Sequence, residues 1–138
     1  MAKILSILGS YRKNGNTARV LNLLHEDILN KAGRENVSVE IETVCLGELT
    51  LHPCRGCRCC FDRGEDTCPL DDDLNTLFKK MHAADGLIIA TPVYVNDVSG
   101  LVKTWMDRLA FACHRPQFQG KSALVVSTVG TGIHGYTQ

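Results

Sequence analysis

Cysteines are the residues in this sequence whose types and spacing most clearly suggest chemistry. Four of them follow the pattern Cys54-x2-Cys57-x2-Cys60-x7-Cys68, and Pro69 comes directly after the fourth. Closely spaced thiols that end in Cys-Pro are typical of iron–sulfur ligation, although the last interval is longer here than in the ferredoxin run. Four thiolates also suit zinc, but structural zinc sites usually pair two short knuckles across a longer separation. The spacing leaves an iron–sulfur cluster, zinc and free thiols open.

Three further cysteines lie outside this pattern of four. Cys59 sits inside the run, and the spacing assigns it no ligand role. Cys45 and Cys113 lie in apolar segments, where free cysteine behaves as a small hydrophobic residue. We expect these two side chains to be buried and not to bind a metal.

A second candidate for chemistry is the polar loop of residues 9–17. It offers two hydroxyls, an amide and a guanidinium, from Ser10, Thr17, Asn16 and Arg12. These groups suit a phosphate, particularly where the backbone N–H groups of a helix N-terminus point at the same anion. The glycine spacing matches neither a Walker loop nor the dinucleotide fingerprint. The loop therefore predicts a phosphate site, with a capped polar turn as the alternative.

The elements that must position these residues alternate along the chain. Short apolar runs bounded by glycine, serine or proline predict buried strands, and apolar residues at spacings of three and four predict helices. Strands are predicted at residues 4–8, 37–45, 86–91 and 122–127, and helices at 16–34, 71–84 and 100–112. This alternation predicts an α/β fold, a doubly wound parallel sheet with helices on both faces.

The carboxyl edge of such a sheet would collect both candidate sites. In a doubly wound sheet of order 2-1-3-4-5, ligands bind where strands one and three end. The Ser10 loop follows strand one and the Pro92 loop follows strand three. The cysteine-rich loop, about residues 46–70, follows strand two and leaves from the same edge. On the helix of residues 100–112, we expect Lys103, Asp107 and Arg108 to form a solvated face with a structural ion pair.

Three segments together resemble the NADPH-dependent FMN reductase family of flavodoxin-like proteins. They are Gly9-Ser10-x-Arg12-Lys13-x-Gly15-Asn16-Thr17, Thr91-Pro92-Val93-Tyr94 and Ser99-Gly100-Leu101-x-Lys103-x-x-x-Asp107-Arg108. The resemblance implies that FMN carries the chemistry and that the chain supplies no catalytic side chain of its own. It implies that the FMN phosphate is held by Ser10, Arg12, Asn16 and Thr17. It also implies that the ring is lined by Pro92, Val93, Tyr94, Val95 and Asn96, and on its far side by Thr128, Gly130 and Gly132.

Within that family, the cysteine loop resembles the iron–sulfur flavoproteins, in which a compact cysteine motif precedes an acidic segment. The matching acidic segment here is Asp71-Asp72-Asp73. This resemblance implies a [4Fe-4S] cluster on Cys54, Cys57, Cys60 and Cys68. It implies an oxidoreductase that passes electrons through FMN from a reduced donor, ferredoxin or NAD(P)H, to an acceptor. The alternatives are a cluster-free NAD(P)H-dependent FMN or quinone reductase, a non-enzymatic flavodoxin-like electron carrier, and a zinc-stabilised binding module.

The length and the net charge of the chain exclude several classes of protein. With 138 residues the chain is expected to form one domain, and its 15 basic residues are balanced by 15 acidic ones. That balance argues against a nucleic-acid partner, and no apolar run is long enough to span a bilayer. We expect a cytoplasmic protein, in which a disulfide framework is disfavoured.

The last predicted strand raises a separate expectation. Flavodoxin-like sheets have five strands, whereas only four are predicted here, so the fifth strand and the last helix are expected to be missing. The strand of residues 122–127 would then form an apolar open edge, which is prone to pairing. We therefore expect either a C-terminally truncated chain or a homo-oligomer, a dimer or tetramer, that covers this edge.

Overall fold

The structure is a computed structural model, and it describes residues 1–130. Ten helices and strands lie in this part of the chain, and a 3₁₀ turn occurs at Leu46–Glu48 and another at Glu65–Thr67. In chain order they are β1 (Ala2–Leu8), α1 (Asn16–Arg34), β2 (Val39–Cys45), α2 (Cys59–Asp62), α3 (Leu74–Ala83), β3 (Gly86–Tyr94), β4 (Asp97–Val98), α4 (Gly100–Arg108), α5 (Phe111–His114) and β5 (Ser122–Thr128).

The sheet is parallel in its long strands, as the alternation of elements predicts. Its long strands lie side by side as β2-β1-β3-β5, and all three pairings are parallel. The register places Ile4 beside Ile41 on one side and beside Gly86 on the other. The short strand β4 pairs antiparallel with the end of β3 and was not predicted. The prediction of a flavodoxin-like α/β fold is confirmed.

The sheet is covered on both faces, as a doubly wound fold requires. On one face, Leu5 and Ile7 of β1 pack with Leu77 of α3 and Trp105 of α4. On the other face, Leu8 and Ile88 pack against Ala18 and Leu21 of α1. None of the helices in residues 1–130 is long and apolar enough to cross a membrane.

Three elements differ from the prediction by three residues or more. The helix predicted at residues 71–84 begins only at Leu74, because Asp72 and Asp73 accept hydrogen bonds from the loop amides of His52 and Thr50. The helix predicted at 100–112 divides at Leu109, where backbone bonds shorten to a spacing of three residues. Strand β3 continues past Pro92, which lies beyond the last pair with β1 and pairs with β5 alone.

Candidate functional site

The loop after β1 and the carboxyl ends of β3 and β5 meet around one open cleft of about 750 Å³ at the edge of the sheet. Nine of the predicted FMN-binding residues line it: Ser10, Arg12, Asn16, Thr17, Pro92, Val93, Tyr94, Thr128 and Gly130. Val95 and Asn96 lie in the adjoining turn and do not line the cleft, and Gly132 falls outside the described residues. The topology therefore brings most of the predicted set together.

One end of the cleft is suited to an anion. Among the described residues that line it, Arg12 and Lys13 are cationic and none is acidic. Helix α1 begins at this end after Gly15, without a side-chain cap from the described residues and without an acidic residue in its first turn. The first backbone N–H groups of the helix therefore keep hydrogen-bonding capacity for a ligand, and the helix dipole favours a negative charge there.

Hydroxyl groups fix the loops at this end. Ser10 is buried, and its Oγ accepts the N–H of Arg12 at 3.0 Å, which tightens the turn. The hydroxyls of Thr17 and Thr128 lie 2.6 Å apart and join the first turn of α1 to the end of β5. Cys45 is buried, as predicted, and its thiol donates to the carbonyl of Ser10 at 3.1 Å. The prediction that Cys113 is buried is wrong: Cys113 is exposed, whereas Phe111 of the same helix is buried.

The other end of the cleft is apolar and is formed by Pro92, Val93 and Tyr94. Tyr94 is half exposed, so its ring is available to a ligand. The two residues that follow it, Val95 and Asn96, have φ angles of 51° and 64° and close the β3–β4 hairpin. Positive φ at both central positions is the type I′ turn, which favours Asn and Gly, and a β-branched residue there is strained. Sequence reasoning missed this turn because Val-Asn carries no hairpin signal.

Helix α4 is locked to the same edge of the sheet through its first residues. Ser99 caps the helix, and its Oγ donates to the carbonyl of Gly9 at 2.6 Å. The N–H of Ser99 in turn donates to the hydroxyl of Thr91 at 3.1 Å. A Cβ atom on Gly9 would overlap Val102 of α4, so only glycine fits between the strand and the helix. The site thus depends on Thr91 and Gly9, to which the sequence analysis gave no role.

The cysteine loop gathers the four predicted metal ligands around a second, smaller cavity of about 70 Å³. Cys54, Cys57, Cys60 and Cys68 all line it, together with apolar side chains such as Phe61. Within residues 1–130, no three His, Cys, Asp or Glu side chains are grouped so that they could hold a metal ion. The four thiols therefore share one cavity, but they are not drawn together as they would be around a single ion.

Hydrogen-bond donors surround these sulfur atoms. The N–H of Gly56 donates to Cys54 Sγ at 3.5 Å, and Arg63 donates to Cys59 Sγ at 3.3 Å. Hydrogen bonds from the backbone and thiol of Cys59 lower the pKa of Cys57. Burial raises the pKa of the Cys60 thiol, and the charges of the neighbouring thiols raise it further. The surroundings therefore favour the thiolate of Cys57 and disfavour that of Cys60.

Two arginines hold the loop against the fold. Arg115 donates to the carbonyls of Cys60 and Phe61 at 2.5 and 3.2 Å. Arg108 is 4% exposed and contacts Asp72 and Cys68, so its predicted place on a solvated face is wrong. The predicted ion pair on that face is formed instead by Lys103 and Asp107, which are exposed. The sequence analysis missed both anchors because an arginine's partners lie far away in the chain.

Fold and cleft together define a class: doubly wound α/β proteins that bind a ligand where the parallel strands end. Comparison with known proteins identifies the family. The model of the NADPH-dependent FMN reductase family matches residues 2–138, and the chain belongs to this family.

Two curated relatives are iron–sulfur flavoproteins. One, from Methanocaldococcus jannaschii, is 41% identical over 106 residues, which cover 77% of this chain and 51% of that protein. The other, from Archaeoglobus fulgidus, is 34% identical over 131 residues, which cover 93% and 56%. The chain therefore spans about half the length of the curated relatives it matches.

A solved structure with a similar fold is the apo form of the NADH:FMN oxidoreductase EmoB. It superimposes with a TM-score of 0.67 at 25% identity, covering 97% of this chain and 62% of that one. The structural likeness agrees with the family match.

Proposed function

We propose that this chain binds FMN in the cleft and forms the flavin-binding part of an FMN-dependent oxidoreductase. The observation that carries the proposal is the convergence of the loop after β1 and the ends of β3 and β5 on one cleft with a cationic, amide-rich end and an apolar end. A phosphate requires the first environment and a flat aromatic ring requires the second. When bound, FMN supplies both one-electron and two-electron transfer.

The cleft residues would divide the binding of FMN between them. Arg12, the hydroxyls of Ser10 and Thr17, the amide of Asn16 and the N–H groups at the start of α1 would hold the phosphate. Pro92, Val93 and Tyr94 would pack on the ring, with Val95 and Asn96 at its rim. Thr128, Gly130 and Gly132 would border its far edge. No described side chain has to transfer a proton for this function.

FMN and riboflavin titrations of matched variants test the phosphate assignment. Arg12→Gln should weaken FMN binding at least about tenfold, because it removes a charge-assisted hydrogen bond. Arg19→Gln is the control, since it removes the same charge from an exposed position in α1 that does not line the cleft. Riboflavin lacks the phosphate, so its affinity should change little in either variant. Equal losses in both variants would contradict the assignment, and failure of the wild-type protein to bind FMN would end the proposal.

We further propose that Cys54, Cys57, Cys60 and Cys68 hold a [4Fe-4S] cluster, which would supply single-electron transfer beside the flavin. The shared cavity and the donors to sulfur support this assignment. The spread of the thiols also suits a cluster better than one zinc ion, because a cluster's ligands bind different iron atoms. Protein purified without air should contain iron and acid-labile sulfide and show a broad absorption shoulder beside the flavin bands. Cys54→Ser should lose this signal, whereas Cys113→Ser, at another exposed thiol, should keep it.

A cluster-free NAD(P)H-dependent FMN or quinone reductase is the second candidate, favoured by the absence of a tight metal-binding group in residues 1–130. Flavin bands without iron, together with steady NAD(P)H consumption when FMN or a quinone is added, would select it. Flavin bands without steady consumption would select the third candidate, an electron carrier reduced by a protein such as ferredoxin.

We also propose that the chain assembles as a homo-oligomer. Leu124 and Val125 of β5 are 46% and 62% exposed, an apolar surface that a second copy would cover. Light scattering should give a mass above that of one chain, and a uniform monomer would contradict the proposal.

A further inference from the structure

Arg108 is a buried cation that the proposed chemistry does not use directly. We infer that Arg108 is a positioning residue for Cys68, which fixes its sulfur at the cysteine cavity and sets the electrostatic environment of any cluster bound there. The inference deepens the proposed function and rests on its cluster. The observation that supports it is that the side chain of Arg108 contacts the sulfur of Cys68 and both ends of the cysteine loop.

The guanidinium of Arg108 makes four hydrogen bonds in a fork. Its Nη1 donates to the carbonyl of His52 at 2.9 Å and to Asp72 Oδ2 at 2.5 Å. Its Nη2 donates to Asp72 Oδ1 at 3.2 Å and to Cys68 Sγ at 3.5 Å. The side chains of Arg108 and Asp72 are 2% and 0% exposed. A lysine ammonium has the charge but lacks the planar fork that reaches the carboxylate and the sulfur together.

Asp72 extends this contact to the stem of the loop. Its Oδ2 also accepts the N–H of His52 at 2.9 Å, and its Oδ1 accepts the N–H of Leu74 at 3.2 Å. Next to it, Thr50 and Asp73 exchange two hydrogen bonds, at 2.7 and 3.0 Å. The two ends of the cysteine loop are thus hydrogen-bonded to each other, and Arg108 connects these ends to Cys68.

The contacts of Arg108 and Asp72 with the two ends of the cysteine loop form a clamp. Helix α4 connects this clamp to the cleft. Ser99 fixes one end of the helix to Gly9 and Thr91, and Arg108 is its last residue. Nine residues at the helical rise span about 13 Å. The distance from the cleft loops to Cys68 is therefore set by one rigid element and one side chain.

A guanidinium beside a ligand sulfur also has an electrostatic effect. Hydrogen bonds to the sulfur ligands and nearby charge tune the reduction potential of an iron–sulfur cluster. A fixed positive charge favours the reduced state, which carries one more electron. Removing this hydrogen bond should therefore move the cluster's midpoint potential to more negative values.

The test compares Arg108→Lys, Arg108→Gln and Arg115→Lys with wild-type protein, all prepared without air. Arg108→Lys keeps a positive charge beside Asp72, so it should fold, retain iron and show a more negative midpoint potential with an altered electron paramagnetic resonance spectrum. Arg108→Gln should shift the potential further or lose the cluster. Arg115 anchors the same loop through backbone carbonyls and touches none of the four ligand sulfurs, so its lysine variant should leave the potential unchanged.

A second readout does not depend on a cluster. In metal-free protein, Arg108→Lys should speed hydrogen exchange of the His52 and Leu74 amides about tenfold, because Asp72 is then held by fewer bonds. An unchanged potential, or an equal shift in Arg115→Lys, would overturn the inference. If the wild-type protein binds no cluster, the cluster assignment fails by itself. Unchanged exchange in Arg108→Lys would then overturn the positioning role as well.

Discussion

The cleft and the cysteine loop occupy the same edge of one sheet but are built in different ways. The cleft is formed where β1, β3 and β5 end, so the backbone of regular elements places its residues. The cysteine loop contains only short helical turns, and charged side chains from distant parts of the chain hold it. Packing therefore determines the first site, whereas buried ionic contacts determine the second.

This difference predicts different responses to acid. Burial alone would raise the pKa of Asp72, but hydrogen bonds from Arg108, His52 and Leu74 lower it overall. A carboxylate with a lowered pKa in the folded state stabilises that state fully above its ordinary pKa of about 3.9. The contribution is lost as the pH falls through the lower folded value. We therefore expect the hydrogen bonds of Asp72 to hold the cysteine loop until the pH falls below about 3.9.

The largest effect should come from breaking the clamp of the cysteine loop. Asp72→Asn leaves Arg108 buried without its charged partner, which should reduce the free energy of unfolding by about 3–5 kcal/mol. Urea unfolding followed by circular dichroism measures this loss. Asp107→Asn is the matched control, because its partner Lys103 is exposed and such helix pairs contribute about 0.3–0.5 kcal/mol. Similar losses of unfolding free energy in the two variants would show that the buried pair does not hold the cysteine loop.

A smaller effect is expected from disturbing the packing behind the cleft. Gly9→Ala adds a methyl group that overlaps Val102, and such overpacking typically costs about 1–3 kcal/mol. It should also weaken FMN binding, because Gly9 directly precedes Ser10. Gly33→Ala is the control: it lies in α1 with no atom near its added methyl, and should be stabilising by about 0.5–1 kcal/mol. Thermal unfolding with and without FMN measures both effects, and a gain in stability for Gly9→Ala would refute the packing argument.

Relieving strain at the rim of the cleft should give a gain. Val95→Gly removes a β-branched residue from positive φ and should raise the free energy of unfolding by about 1 kcal/mol. Val37→Gly is the control, since Val37 is exposed but has no positive φ, and it should be neutral or destabilising. If urea unfolding shows no difference between the two variants, Val95 is not strained.

The same difference between the sites explains what could be predicted from the sequence. Strand ends are marked by apolar runs and by the loops that follow them, so these local patterns suffice to place Ser10, Thr17 and Pro92 at one edge of the sheet. The parallel pairing of the long strands followed from the alternation of elements and is confirmed, whereas the short antiparallel strand β4 was not predicted. The hydroxyl pair of Thr17 and Thr128 could not be foreseen, because no local pattern reports which elements touch.

The contacts that could not be predicted from the sequence are mainly those between polar side chains far apart in the chain. Arg108 follows two exposed residues on its helix, and only the three-dimensional structure shows that it reaches Asp72, 36 positions away. Asp72 and Asp73 have the composition of a first helical turn, yet they bind the other end of the loop. Hydrophobic periodicity locates elements, but it carries no information on such polar contacts.

The smallest predicted effect tests whether the cleft side of the molecule also responds to pH. His25 of α1 lies 2.8 Å from the buried hydroxyl of Ser6 on β1, and burial lowers its pKa below 6.5. The unfolded chain therefore binds a proton more readily than the folded one, so stability should be full above about pH 6.5 and fall as the pH drops. His25→Gln should reduce the difference in unfolding free energy between pH 7.5 and pH 5.5, as measured by urea unfolding. The other histidines are the same in both proteins, so an unchanged difference would show that His25 does not limit the stability of the cleft side.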